Sequence, residues 1–260
     1  MFKIILAMAA MMCFANGAFA AVDSHNVDYK TADGKEMQGY VAFSDSAAPA
    51  KGTIIIVPDW MGVSPFYQDK ANQLAGEGYT VFVADVYGKN IRPADQKEAG
   101  QLATTYKSDR PLLRSHIQAA YDYVRGLQQA EGKKIVVMGY CFGGTTALEL
   151  ARNGAELAGV VSFHGGLSNP TPENAKNIKA PVLVLHGADD PMVPPSEVKA
   201  FEEEMKAANV DMQFIPYPGA VHAFTNPAAG NDNSKGAAYN AEADKASWVV
   251  FEKFLGKVFQ

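Results

Sequence analysis

Cys141 lies in the run Gly139-Tyr140-Cys141-Phe142-Gly143-Gly144, between an apolar stretch, IVVM, and one with helical patterning, TTALELARNG. A residue held in so sharp a strand-to-helix turn has strained dihedrals. Glycines two positions to either side are required because side chains there would clash with the turn. The turn lifts a nucleophile above the sheet, and the helix N-terminus behind it favours a thiolate and a developing oxyanion. The pattern is that of a G-x-S-x-G nucleophile elbow with cysteine in the serine slot. A free cysteine is more commonly a small buried hydrophobe, but its neighbours here argue for the nucleophile.

An elbow of this kind brings its partners in the chain order nucleophile, acid, histidine. The histidines are His25, His116, His164, His186 and His222, and of these His222, in YPGAVHAFT, lies beyond the loop expected to carry the acid. That loop reads HGADDPMVP after the apolar run PVLVL, so Asp189 and Asp190 are both candidates. The form G-x-x-D-x-x-V-P favours Asp190, and leaves Asp189 as a turn-forming neighbour. A buried carboxylate at this point orients an imidazole and stabilises its charged form.

The elements that must position these residues alternate. TIIIVP (53–58), YTVFVADVYG, KIVVMG, LAGVVSFHG, APVLVLHG and MQFIPYP read as strands. Helices are expected from Ser64 and Pro65, over 93–104, over 110–128 with Leu113, Ile117, Ala120, Tyr121 and Val124 on one face, over 143–153, over PSEVKAFEEEMKAANV, and over 238–256. Residues 35–43 suggest an antiparallel edge strand, and 226–240 a loop at the edge of the site. Alternation with short connections predicts an α/β fold, a mainly parallel sheet covered by helices on both faces, in a single domain.

The first twenty residues stand apart. Lys3 precedes a short apolar run, and AFA at 18–20 forms a cleavage site, so 1–20 reads as a signal peptide removed after Ala20. The domain then spans 21–260, and the expected location is periplasmic or secreted. Cys13 leaves with the leader, so the mature chain keeps one cysteine and has no internal disulfide. A net charge of −5 gives no electrostatic reason to bind nucleic acid or anionic membrane. No metal-ligand spacing, dinucleotide fingerprint or P-loop lysine is present, so no metal or cofactor is expected. The chain is expected to act on a small molecule as a monomer or homodimer.

Together GYCFGG, HGADDPMVP, YPGAVHAF and PDWMGV (58–63) resemble the dienelactone hydrolase family of α/β hydrolases, over roughly residues 35–258. The resemblance implies an α/β-hydrolase fold and a Cys141–His222–Asp190 triad. It further implies that Asp59 contacts the resting thiol and helps to activate it; the family usually has glutamate there, one methylene longer, and a plain turn aspartate would look the same. It places the oxyanion hole at the backbone N–H groups of Trp60 and Phe142. Of the family's two carboxylate-binding arginines, the one expected four residues after the triad histidine is Asn226 here and the other falls near Lys97, a change that points away from dienelactone as substrate. Arg110 and Arg114 read as solvated helix charges. Among aromatics near the site (Phe66, Tyr67, Tyr140 and others), Trp60, His164 and Phe224 are expected to bind substrate. The expected function is hydrolysis of carboxylic esters, lactones or thioesters through a covalent acyl-enzyme. The alternatives are a thiol-based redox sensor or a non-catalytic binding protein on the same fold.

Overall fold

The computed structural model describes residues 21–45 and 48–260; the expected signal peptide over 1–20 lies outside the described residues. Eight strands form one sheet: β1 (Val22–Lys30), β2 (Glu36–Ser44), β3 (Thr53–Val57), β4 (Thr80–Val83), β5 (Ile135–Tyr140), β6 (Gly159–Phe163), β7 (Val182–Gly187) and β8 (Met212–Tyr217). Their spatial order is β1-β2-β4-β3-β5-β6-β7-β8. β2 runs antiparallel to both β1 and β4, and all other pairs are parallel.

The helices are α1 (Pro65–Gly76), α2 (Gln96–Ser108), α3 (Arg110–Arg125), α4 (Phe142–Arg152), α5 (Pro195–Ala207) and α6 (Ala241–Val258). Every residue of β3 to β7 is buried, because helices cover both faces. One apolar layer joins α1 and α6 to the sheet through Tyr67, Leu74, Phe251 and Phe254. The opposite layer joins α3, α4 and α5 through Leu113, Ile117, Leu148, Phe201 and Met205. The mainly parallel α/β sheet is therefore as expected, and the apolar face read from α3 is the one that packs. Among the described residues no helix is long and apolar enough to cross a membrane.

Two of the expected elements differ. The strand expected at the edge, 35–43, lies inside the sheet, and the edge is β1. β1 is largely solvent-exposed, with a polar sequence, VDSHNVDYK, and so carries little hydrophobic signal. The tight turn that pairs it with β2 runs Thr31-Ala32-Asp33-Gly34, closed by the Gly34 N–H on the Thr31 carbonyl at 2.9 Å, with Gly34 at φ 89°. The helix expected from 93 begins at Gln96, because Asp95 accepts a hydrogen bond from the Glu98 N–H while Glu98 accepts from the Ala94 N–H.

The charges at the start of α3 are not solvated. Arg110 is only 7% exposed and donates to the Ser168 carbonyl at 3.2 Å. Arg114 donates to Glu149 at 2.7 Å, and Arg152 joins Glu149 to Glu204 with bonds of 2.9–3.0 Å. The charges of Arg114, Glu149, Arg152 and Glu204 are desolvated together and depend on one another for partners. They brace α4, the helix behind the elbow, against α3 and α5.

Candidate active site

Cys141 connects β5 to α4 with φ 54° and ψ −116°, a conformation that costs a non-glycine residue energy. The surrounding contacts hold it there. Its N–H donates to the Phe163 carbonyl at 3.0 Å, and its carbonyl accepts from the Gly144 N–H at 3.0 Å. A Cβ on Gly139 would come within 2.0 Å of the Gly143 carbonyl oxygen, and a Cβ on Gly143 within 2.1 Å of the Val57 carbonyl oxygen. Both glycines are thus required by backbone packing, as their spacing implied. Cys141 remains partly exposed as a free thiol.

Asp190 follows β7, and His222 follows β8, so both arrive at the C-terminal edge of the parallel strands beside the elbow. His222 Nδ1–H donates to Asp190 Oδ2 at 2.8 Å. The other carboxylate oxygen, Oδ1, accepts the Met192 N–H at 2.8 Å, which fixes the plane of the group. Asp189 instead points to the turn before His222, accepting the Gly219 N–H at 3.1 Å. Of the two adjacent aspartates, Asp190, the one that the spacing favoured, is the one that meets the imidazole.

With Nδ1 committed, His222 Nε2 is buried and has no hydrogen-bond partner among the described residues. Burial is the largest single influence on this ring and favours its neutral form. The Cys141 sulfur and the Asp190 carboxylate together outweigh burial and raise the pKa to about 10. The segment 226–240 supports His222 from behind: the His222 N–H donates to Gly236 at 3.2 Å, and its carbonyl accepts from the Ala238 N–H at 3.0 Å.

Asp59 follows β3. Its Oδ1 accepts the Met61 N–H at 2.9 Å, and its own N–H donates to the Tyr67 hydroxyl at 3.2 Å. Burial raises its pKa, opposed by the Met61 N–H and by Tyr67. The Asp59 carboxylate is thus tied into its own turn, with His222 near enough to influence its charge. Trp60 follows in the same turn, closed by a Gly62 N–H to Asp59 carbonyl bond of 3.0 Å. Phe142 is the first residue of α4, so its N–H has no carbonyl one turn earlier to accept it.

Cys141, Phe142, Trp60 and His222 share a cleft of about 200 Å³. α2 contributes Gly100, Ala103, Thr104 and Lys107 to one wall, and Met192 and Val193 form another. Of the three expected substrate-binding residues, Trp60 lines this cleft. Phe224 is fully buried and His164 is 2% exposed; neither is part of the lining. His164 instead packs edge-on against His222, with ring centroids 5.4 Å apart, and its Nε2 lies 2.8 Å from the Thr225 hydroxyl. Burial, then the charge of His222, holds its pKa well below the ordinary histidine value. Asn226 caps a short turn over Pro227–Ala229, and Lys97 is exposed on the first turn of α2; neither lines the cleft. Among the described residues, no group of three or more His, Cys, Asp or Glu side chains is arranged to hold a metal ion.

Sequence reasoning passed over Tyr87. It stands just beyond the C-terminal end of β4, at the same sheet edge, and reaches the Trp60 carbonyl. Its position past a parallel strand was the available signal.

The dienelactone hydrolase family profile matches residues 37–259. A putative carboxymethylenebutenolidase of Aquifex aeolicus (strain VF5) is 30% identical over 198 residues, covering 75% of this chain and 84% of the relative. A crystal structure of a dienelactone hydrolase-like promiscuous phosphotriesterase from metagenomic libraries superposes with a TM-score of 0.86, at 33% identity, covering 92% of this chain and all of the other. A putative dienelactone hydrolase from Klebsiella pneumoniae subsp. pneumoniae MGH 78578, 23% identical over 91% of this chain and 99% of its own, shares the fold with a TM-score of 0.77. The sheet order, the elbow after β5 and the match along nearly the whole described chain agree, and the chain belongs to the dienelactone hydrolase family of α/β-hydrolase fold.

Proposed function

We propose that this protein hydrolyses small carboxylic esters, lactones or thioesters through an acyl-enzyme on Cys141, with His222 and Asp190 completing a catalytic triad. One observation carries the reading. His222 is fixed to Asp190 at 2.8 Å through Nδ1 while its unpartnered Nε2 shares a cleft with the only thiol among the described residues. A free thiol has a pKa of about 8.5, so a positioned base is what makes it an effective nucleophile near neutrality.

With the proton held on His222 Nε2, where Cys141 and Asp190 favour it, the Cys141 sulfur attacks the carbonyl carbon. The carbonyl π electrons move to oxygen, and the oxyanion is held by the backbone N–H groups of Trp60 and Phe142. The oxyanion then collapses, the bond to the alkoxy or thiolate leaving group breaks, and that group takes the proton from His222. The product of this half is a thioester on Cys141. In the second half, His222 takes a proton from water as water attacks the thioester. Collapse releases the acid and returns the proton to sulfur. Once the sulfur is acylated, the Cys141 interaction that raises the His222 pKa is lost, and burial favours the neutral base that deacylation needs. Asp59 supports the oxyanion-hole turn through its bond to the Met61 N–H.

The cleft of about 200 Å³ suits a short acyl or lactone group rather than a drug-sized ligand. A panel of p-nitrophenyl acetate to octanoate, small lactones and thioesters tests this, with intact-protein mass spectrometry during turnover. The phosphotriesterase relative adds diethyl p-nitrophenyl phosphate to the panel. Short-chain esters are expected to be cleaved fastest, with an acyl mass added to the peptide containing Cys141. Turnover with the adduct on any other residue removes the mechanism.

Residues 1–20 support export to the periplasm or beyond, with cleavage after Ala20. The exported protein is expected to begin Ala21-Val22-Asp23 on N-terminal sequencing. A mature chain that still carries Lys3 contradicts this.

A further inference from the structure

The two proposed oxyanion donors come from different parts of the chain. Trp60 lies in the turn after β3, and Phe142 heads α4. Their spacing is set by whatever joins those segments, and one side chain touches both. The Tyr87 hydroxyl donates to the Trp60 carbonyl at 2.9 Å, and the Tyr87 ring stacks on the Phe142 ring with centroids 5.6 Å apart and planes 23° from parallel. Tyr87 is 1% exposed.

Tyr87 is itself held rigidly. Its N–H donates to Asp85 Oδ1 at 3.0 Å, and its carbonyl accepts from the Tyr106 hydroxyl at 3.2 Å. Asp85 is buried, and also accepts the N–H groups of Gly88 and, through Oδ2, of Gln38. Burial, then the charges of Asp59 and Cys141, raise the phenol pKa, so the hydroxyl stays protonated and remains a donor. The chain of contacts therefore runs from β2, through Asp85 and Tyr87, to both donors.

We propose that Tyr87 is a positioning residue that sets the separation and aim of the Trp60 and Phe142 amides. The proposal rests on the acyl-enzyme reading above. Trp60 sits between two tethers: the Asp59 carbonyl, in the same peptide unit as the Trp60 N–H, is held by the Gly62 N–H, and the Trp60 carbonyl is held by Tyr87. Without the hydroxyl, the peptide after Trp60 keeps only the Met61 N–H bond to Asp59, so it loosens, and Trp60, which joins this peptide to the one carrying its N–H, loses part of its fixed aim. Preorganised donors stabilise a transition state because they need no reorientation as charge develops. Tyr87 touches no substrate, so its loss appears in the chemical step rather than in binding.

The test uses Tyr87→Phe, which keeps the stacked ring and removes the hydroxyl. Deleting a whole oxyanion donor costs about 10²- to 10³-fold in kcat, so loosening one is expected to cost about tenfold, with KM little changed. Alkylation of Cys141 by iodoacetamide displaces iodide at a saturated carbon and develops no carbonyl oxyanion. Its rate is expected to stay within about twofold of wild type. Tyr121→Phe is the matched control, since it also removes a hydroxyl bonded to a backbone carbonyl, that of Glu156, away from the cleft. It is expected to lose similar thermal stability and no activity.

A Tyr87→Phe enzyme with wild-type kcat overturns the proposal. So does an equal fall in hydrolysis and alkylation, which reports general disorder. The acyl-enzyme reading fails separately, if wild-type turnover survives Cys141→Ala.

Discussion

Cys141→Ala is expected to lower ester hydrolysis by at least about 10⁴-fold, leaving a residue of activity from binding and the oxyanion donors. The size follows from the role. His222 and Asp190 have no nucleophile of their own to activate, and direct attack by water forgoes the covalent route. The variant should still fold. Alanine fits the space, and it meets the same backbone strain at φ 54° that cysteine already tolerates through its bonds to Phe163 and Gly144. Steady-state assay with p-nitrophenyl acetate, beside circular dichroism to show the fold intact, checks the result. A folded variant within about tenfold of wild type removes Cys141 as nucleophile.

Asp190→Asn is expected to cost about 10³- to 10⁴-fold in kcat while leaving the geometry intact. An asparagine amide can turn its NH₂ to Nδ1, which forces the proton onto Nε2. In its neutral form, the one that deacylation needs, the ring then presents a donor instead of a base at Nε2. The change also removes one of the two charges that raise the His222 pKa from 6.5 to about 10, so that pKa must fall. The sign for stability follows. A raised histidine pKa stabilises the fold fully below about pH 6.5, and the contribution is lost as pH rises towards about 10. The wild type should therefore lose thermal stability between pH 7 and 10, and Asp190→Asn should lose less across the same range. Kinetics, an NMR titration of the His222 ring and melting curves read the three effects. A cysteine working alone as a redox switch has no use for Asp190, so unchanged function in this variant refutes the triad.

The elbow was legible because backbone sterics impose it. With β5 and α4 meeting at one residue, Gly139 and Gly143 have no room for a Cβ, and that demand is written directly into the spacing. The parallel core was legible for a similar reason: strands buried on both faces must be continuously apolar, and those of β3 to β7 are. The edge strand was obscure because β1 buries little and is specified by its partner and its turn.

Within the site, residue types and chain order brought Cys141, His222 and an aspartate into consideration. The spacing G-x-x-D-x-x-V-P favoured Asp190 over Asp189, and the tertiary structure shows the reason in direction rather than chemistry: Asp190 meets His222 while Asp189 turns to the Gly219 N–H. The same holds for the aromatics. Position near a strand end suggested that His164 and Phe224 meet substrate, yet packing turns both inward, His164 against His222 and Phe224 into the core. The charges of Arg110 and Arg114 looked solvated because their partners, Ser168 and Glu149, are remote in sequence. The position of Tyr87 past β4 was legible, but its bond to a carbonyl 27 residues away leaves no local pattern. Local sterics are recorded in sequence spacing, whereas side-chain direction is decided when distant segments pack and compete for the same space.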